Sequence, residues 1–546
     1  MEAFDDEGVF WLPGKKADQR AGRLTFDPAE GATLTITGVF SDIDEQSNDQ
    51  TRMRRVHGIT GRRHLTLDGC FNTGTNFETP GAPHQSYYVS RFITDALFDE
   101  SEELVFDKCR VAFDQLARWI NAPGVKVSSQ SQLQLEFEPP HDETVKISDE
   151  EELTLTSKWV VVDSDYITKM SLAQGTYLEL KYPAARSLDK ILGDVKYLQD
   201  LLTLATNGPT APLQITLWQA GKEMKYYEGQ LAERVRLDAP QAAGILFELS
   251  DIGGLPTIAK WVNVAREYHI VMGSLLSIRY ASRLYVENRF NNVVSAAETF
   301  HRARFSNQIR PRAEFRQFFR ELVAAVPEEN RDWLRAQIQF ANEPRLRDRL
   351  TEMTAYAGKA FTVIYGEPEP WVRVVTETRN RLTHHDQRRA LSFEAGDLYF
   401  LTESVFMLVM LCLFRECQMD DKTLSAIAGS GSTQYLRTRL TVVIPRLYAE
   451  ITSRLQSSRA CAGDRRAEIG EDSGSGYAGS RAGSGGRRCA PGGHLRHRHR
   501  TVHRGTALLR AGEDRLPAAS RPRMVRGRFG RRARRRRGVA RGTGHR

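Results

Sequence analysis

The sequence predicts an α+β multidomain protein, with a β-rich amino-terminal domain, sandwich or barrel-like, over residues 1–240, an all-α helical bundle over 241–458 and a disordered tail over 459–546. Three observations carry this. A chain of 546 residues exceeds what one hydrophobic core usually supports. The period of its apolar residues changes from two to 3.6 at about Leu255. From Arg459 onward the chain becomes Arg, Gly, Ala and Ser without a sustained apolar period.

In the first region, alternating segments recur between turn signals: Arg23–Phe26, Thr33–Phe40, His64–Leu67 before Asp68-Gly69, Leu133–Phe137, Leu153–Val162, Leu178–Tyr182 and Leu213–Trp218. Two helices are expected to interrupt them. One runs from about Phe106 through Ile120, ahead of Asn121-Ala122-Pro123-Gly124. The other opens at Ser187 as N-cap and carries Leu188, Ile191, Leu192, Val195, Leu198, Leu201, Leu202 and Ala205 at helical spacing, stopping at Asn207-Gly208-Pro209. The second region reads as helices at Pro256–Arg279, Arg289–Phe305, Arg312–Ala325, Asn330–Ala341, Arg345–Tyr356, Pro370–Thr383, Ala395–Glu416 and Leu436–Leu455. In the Pro370 helix the apolar stripe is Trp371, Val374, Val375, Thr378 and Leu382, with Pro370 suited to the first helical position.

The formal charge of +9 conceals two unlike parts. The tail from Arg459 has 24 Arg, no Lys and 6 acids, a net +18, which leaves −9 on residues 1–458. A general basic face for nucleic acid is therefore excluded from the body, and any RNA contact there has to be local. The tail reads as solvated, or as translation of a GC-rich stretch outside the selected frame. An Arg-rich arm gripping phosphates nonspecifically is its functional alternative.

Several classes drop out. Met-Glu-Ala-Phe-Asp-Asp-Glu at the amino terminus is unlike a secretory signal, which points to a cytoplasmic protein. The longest apolar run, Val405 to Phe414, is too short to span a bilayer and reads as a buried helix. The six cysteines show no CxxC pair or zinc-finger spacing, so reduced thiols and no structural metal are expected. Gly253-Gly254 and Gly429-Ser430-Gly431 match no phosphate-binding loop. Asp149 to Glu152 reads as a solvated turn, Glu298 and His301 as a solvated helix face, and His57 with His64 lacks a third metal ligand.

One string carries chemistry: Thr378-Arg379-Asn380-Arg381-Leu382-Thr383-His384-His385-Asp386. An RNase that uses the ribose 2′-hydroxyl as nucleophile needs a base of near-neutral pKa and a cation for the phosphate. His supplies the first, and Arg, with its planar and permanently charged guanidinium, the second. Such chemistry needs no metal and leaves a 2′,3′-cyclic phosphate. Arg, four residues, then His is expected about once by chance in so Arg-rich a chain. Arg52 to His57, placed in a polar loop, and Arg498 to His503, in the tail, also have it. Requiring Asn after the Arg leaves only Arg379 to His384. On residue chemistry alone these remain equally readable as cations at a helix C-terminus, favoured by the macrodipole. Five residues along an ideal helix turn through about 140°, so Arg379 and His384 share a face only if the helix ends or distorts, or if a twofold dimer completes the site. His385 is a rival for the base.

Glu298 to His301 on an early helix, Val374 with Thr378-Arg379-Asn380 and His384 on a later one, and the long apolar helix Leu398–Phe414 resemble the HEPN domain of the ApeA anti-phage family. Phe10-Trp11-Leu12-Pro13, Gly22-Arg23-Leu24-Thr25 and Leu34-Thr35-Ile36-Thr37-Gly38 are similar to the opening of the β-rich domain found ahead of it. The resemblance covers about residues 8–456. It implies an abortive-infection endoribonuclease: a homodimer through the HEPN domain, with a phage-derived activator at the amino-terminal domain, no cofactor and no membrane. Arg379 and His384 match the catalytic pair and Asn380 the polar residue beside it, with His385 and Glu298 as secondary candidates. In an acidic body, Arg381, Arg388 and Arg389 are expected to line a narrow basic cleft for RNA with Arg379. The rival reading from another class is a non-catalytic HEPN dimerisation module with a ligand-recognising β domain. A toxin-like HEPN partner silenced by nucleotide transfer is a further enzymatic rival.

Overall fold

The computed structural model of the chain describes residues 3–40, 54–77, 80–129, 133–164, 168–229, 244–281, 283–384, 391–394 and 396–470. Six strands open it: β1 (Phe4–Trp11), β2 (Arg20–Asp27), β3 (Gly31–Thr37), β4 (Arg54–Thr60), β5 (Arg63–Asn76) and β6 (His84–Thr94). Every pairing is antiparallel, in the ring β1-β2-β3-β6-β5-β4 that returns to β1. Closure leaves the barrel no free edge. Alternation explains its inside: in β3, Ala32, Leu34 and Ile36 are buried while the threonines between them face outward. Phe10 fills the centre because the facing position is glycine. A Cβ at Gly58 would stand 2.6 Å from its ring. His57 lies in β4, not in a polar loop, and is buried with Nε2 2.8 Å from the Phe98 carbonyl.

The open sheet begins where the barrel ends. β6 pairs with β3 over residues 84–89 and then passes to β14 (Lys222–Glu228) over 91–93. Beyond β14 follow β13 (Pro212–Gln219), β7 (Val105–Phe113), β12 (Met170–Ser187), β11 (Glu152–Ser164) and β10 (Glu143–Lys146). A separate hairpin joins β8 (Val125–Ser129) to β9 (Leu133–Phe137). The single helix expected over Phe106–Ile120 is corrected to strand β7 followed by the short α1 (Leu116–Ile120). β7 is hydrogen-bonded on both sides, to β12 and β13, and that pairing overrides the local pattern. Helix α2 (Leu188–Ala205) follows Ser187 as expected and packs on β7 and β12.

The bundle comprises α3 (Leu255–Glu267), α4 (His269–Tyr280), α5 (Val286–Arg304), α6 (Arg312–Ala324), α7 (Glu328–Ile338), α8 (Leu346–Ala357), α9 (Lys359–Ile364), α10 (Pro368–His384), α11 (Asp397–Glu416), α12 (Asp421–Ala428) and α13 (Gln434–Gly470). The helix predicted over Pro256–Arg279 is two, parted at the buried Tyr268. The last helix continues to Gly470, past residue 458 where the tail was expected to start. α10 starts at Pro368 rather than Pro370. α11 has the length and hydropathy to cross a membrane, yet 94% of its apolar window is buried as the central helix against α5, α8 and α13.

The barrel has its own core around Phe10, Leu24, Phe92 and Tyr87. The rest does not divide. One hydrophobic cluster runs from β7, β12, β13 and α2 through α3 into α11 and α13. Phe247 and Trp261 both meet Phe414 edge-on, and the Trp261 indole donates to the Tyr197 carbonyl at 2.8 Å. Beside this seam Asp194 of α2, its side chain 3% exposed, accepts from Arg266 of α3 at 2.9 Å and from Arg186 at 3.0 Å. Glu151, in the acidic run expected to be a solvated turn, bridges the same two arginines.

Candidate active site

α10 is held by its apolar stripe. Trp371, Val372, Val374, Val375 and Thr378 are buried, and the Trp371 indole donates to Ser404 Oγ of α11 at 2.8 Å. Thr378 turns its hydroxyl back to the Val374 carbonyl, 2.7 Å away, so this buried polar group is satisfied within its own helix. Leu382, the last residue of the expected stripe, is half-buried.

The polar residues of the motif differ in what they meet. Arg379 is half-buried, and among the described residues no carboxylate pairs with it and no hydrogen bond ties it down. Asn380 is likewise half-buried and unbonded among them. Arg381 is committed elsewhere: it donates to the Leu391 carbonyl at 2.7 Å and lies 4.7 Å over the Phe393 ring. His384 is the last residue of α10, which stays helical to its end, so the angular offset from Arg379 persists within one chain. The His384 side chain and residues His385, Arg388 and Arg389 lie outside what the structure describes.

The returning chain is latched on two sides. Arg381 holds Leu391 from α10. From α13, Arg446 donates to the Ser392 carbonyl at 2.6 Å, and Glu450 accepts from the Ser392 amide at 3.1 Å. Asp397 accepts from the Glu394 amide at 2.7 Å and pairs with Arg446. Nothing in the sequence announced Arg446 and Glu450, because Ser392, the residue they share, lies more than fifty positions upstream.

Next to this latch is a cleft of about 630 Å³ between the start of α5, the end of α10 and the start of α11. Its apolar walls include Leu284, Val286 and Leu382, and Arg289, Arg381, Phe393 and Tyr399 also face it.

Glu298 and His301 belong to another arrangement. His301 is fully buried, which corrects its reading as part of a solvated face. Its Nδ1 accepts from Arg349 at 2.9 Å, so Nε2 carries the proton and donates to Glu352 at 2.8 Å. Burial holds the imidazole below the ordinary histidine value, against the pull of the Glu352 hydrogen bond. Arg349, itself 2% exposed, also donates to the Pro344 carbonyl and to Asn307. These bonds close the base of the α6–α7 hairpin. Glu298 is half-buried and interacts electrostatically with Arg349. Among the described residues no hydrogen bond or ion pair joins this cluster to Arg379 or Asn380.

Two family models match the chain: ApeA N-terminal domain 1 over residues 7–261 and Apea-like HEPN over residues 291–423. No curated protein and no solved structure matches it. The first match takes in the barrel, the open sheet and half of α3. The second begins inside α5, ends inside α12 and contains all of α10.

Proposed function

Because this chain belongs to the ApeA family, with an ApeA N-terminal domain followed by an Apea-like HEPN domain, we propose that it is an anti-phage endoribonuclease whose cleavage is carried by Arg379 and His384. The observation that supports this most is the state of Arg379: a half-buried guanidinium on a rigid helix with no carboxylate beside it among the described residues. Other arginines of the bundle are paired with carboxylates or backbone, including Arg279 with Glu403, Arg415 with Asp421, Arg446 with Asp397 and Arg381 with Leu391. A cation without a carboxylate partner among the described residues, in a protein body of net −9, is suited to an anionic substrate.

In the reaction His384 takes the proton of the 2′-hydroxyl, and the 2′-oxygen attacks the adjacent phosphorus. The bond from phosphorus to the 5′-oxygen breaks, that oxygen leaves with a proton, and a 2′,3′-cyclic phosphate remains. Arg379 neutralises the charge that builds on the phosphate oxygens, and Asn380 orients the same group. The turn of about 140° between Arg379 and His384 on an unbroken helix favours a site shared across a twofold HEPN dimer. The amino-terminal barrel and sheet would receive the phage-derived signal in the cytoplasm.

The test is cleavage of RNA by the full chain, wild type against Arg379→Ala, His384→Ala and His385→Ala, with mapping of product ends. Loss of roughly 10²–10⁴-fold is expected for His384→Ala, as for removal of a general base. For Arg379→Ala about 10²–10³-fold is expected, as for removal of one transition-state donor. Full activity in Arg379→Ala would refute the assignment, and loss in His385→Ala alone would move the base by one residue.

A further inference from the structure

We infer that the cleft between α5, α10 and α11 seats one unpaired base of the RNA, next to the phosphate that is cut. The inference rests on the nuclease reading and adds what the enzyme grips besides phosphate.

Three features converge. The first is position. Arg381 and Leu382 in the cleft wall directly follow Arg379 and Asn380, and His384 is three residues beyond Arg381, a rise of about 4.5 Å. A nucleotide with its phosphate at the end of α10 therefore has its base within reach of the cleft. The second is the chemistry of the walls. Tyr399, in the wall at the start of α11, is 47% exposed. Large aromatic rings left in water cost apolar burial that a stacked heterocycle restores. Phe393 adds a second ring, fixed by the guanidinium of Arg381 on one face. The volume of about 630 Å³ is in the range of small-molecule sites, large enough for a nucleobase.

The third feature is charge. Arg289 donates only to backbone, to the Leu284 carbonyl at 3.3 Å and the Ala281 carbonyl at 3.5 Å, and Arg381 likewise donates to a carbonyl. Among the described residues neither has a carboxylate partner. Of the two acids at the cleft, Glu394 lies 3.5 Å from Arg446, which also pairs with Asp397, and Glu287 is exposed. Two fixed cations against these two acids leave the cleft locally neutral within an acidic body, so it does not repel a nucleotide as the surrounding surface would.

The experiment uses the full chain with an RNA oligonucleotide, and a fully 2′-deoxy oligonucleotide as an uncleavable probe, at salt high enough to suppress phosphate binding by the Arg-rich tail. Tyr399→Ala is expected to raise KM and weaken probe binding by roughly tenfold, the size of one lost stacking contact, with kcat changed less. Tyr399→Phe should restore both, which a merely structural loss would not predict from the hydroxyl. Equal KM and equal probe affinity in wild type and Tyr399→Ala would overturn the base site while leaving the nuclease standing. Probe binding that depends on Tyr399 without any RNA cleavage would keep the base site and overturn the nuclease reading. A wild-type chain that binds no probe overturns the base site outright.

Discussion

Replacing Arg266 by Met removes the ion pair that joins α3 to α2 while keeping the aliphatic stem. Breaking a buried pair typically costs about 3–5 kcal/mol when the abandoned charge has no other partner. Here Asp194 keeps Arg186 at 3.0 Å and the Tyr182 hydroxyl at 3.1 Å, and the Arg266 side chain is 24% exposed. The expected loss falls to about 2 kcal/mol after discounting for screening. At about 2.1 cal/mol/K of unfolding entropy per residue, a unit spanning Met1–Glu471 unfolds with about 1 kcal/mol/K. The shift is therefore only about 2 °C, resolvable by differential scanning calorimetry of the full chain. Its size matters less than its form. Since the sheet and bundle share one core, one transition covering both should move as a whole. Two transitions, of which the substitution moves only one, would refute the reasoning, because they would mean that sheet and bundle unfold independently.

Two further outcomes follow from the site. Arg381→Met should free the Leu391 carbonyl and accelerate hydrogen exchange at the Ser392 and Phe393 amides by about 5- to 30-fold, matching the loss of about 1–2 kcal/mol from one charged hydrogen bond and a ring contact. Unchanged exchange would return Arg381 to the role of a free phosphate ligand. His301, held neutral by burial, has a folded pKa below its unfolded value of about 6.5. The folded state thus binds fewer protons, so its contribution is complete above about pH 6.5 and is lost as pH falls toward the folded pKa. Melting of His301→Gln measured from pH 8 to pH 5 should show a shallower decline than wild type, and a parallel decline would contradict that sign.

Much of this architecture was legible because periodicity reports burial. Leu34 and Ile36 alternate with threonines and entered a barrel wall, and the stripe Trp371, Val374, Val375, Thr378 marked the buried face of α10. The failure at Val105–Phe113 has a definite cause. Phe106, Cys109, Phe113, Leu116 and Trp119 are spaced by three or four, which imitates a helix, while two neighbouring strands distant in sequence decide the outcome. The break at Tyr268 carries no Gly or Pro to announce it. By contrast α12 had a readable start, since Asp420 accepts from the Thr423 amide as an N-cap, and it was passed over because eight residues are too few to show a period. In the site, spacing and the Asn after Arg379 single out one Arg and His from many as the candidate pair. What spacing cannot convey is whether a cation is already occupied: Arg381 and Arg349 look like Arg379 in sequence, and only their partners separate them.

The continuous cluster from β7 to α13 bears on how such proteins can be recombined. The two family matches meet between residues 261 and 291, a boundary that falls inside packed helices rather than in a tether. A crossover there would deliver a bundle with Trp261 missing from the face of Phe414, and its nuclease would inherit a wound in its core. The barrel closes on itself and keeps a separate interior, so it is the part of the amino-terminal region that can be traded provided the end of β6 that pairs with β14 is kept. Sequence change is then expected to accumulate in residues 4–94, and the sheet behind them is inherited with the bundle as one block.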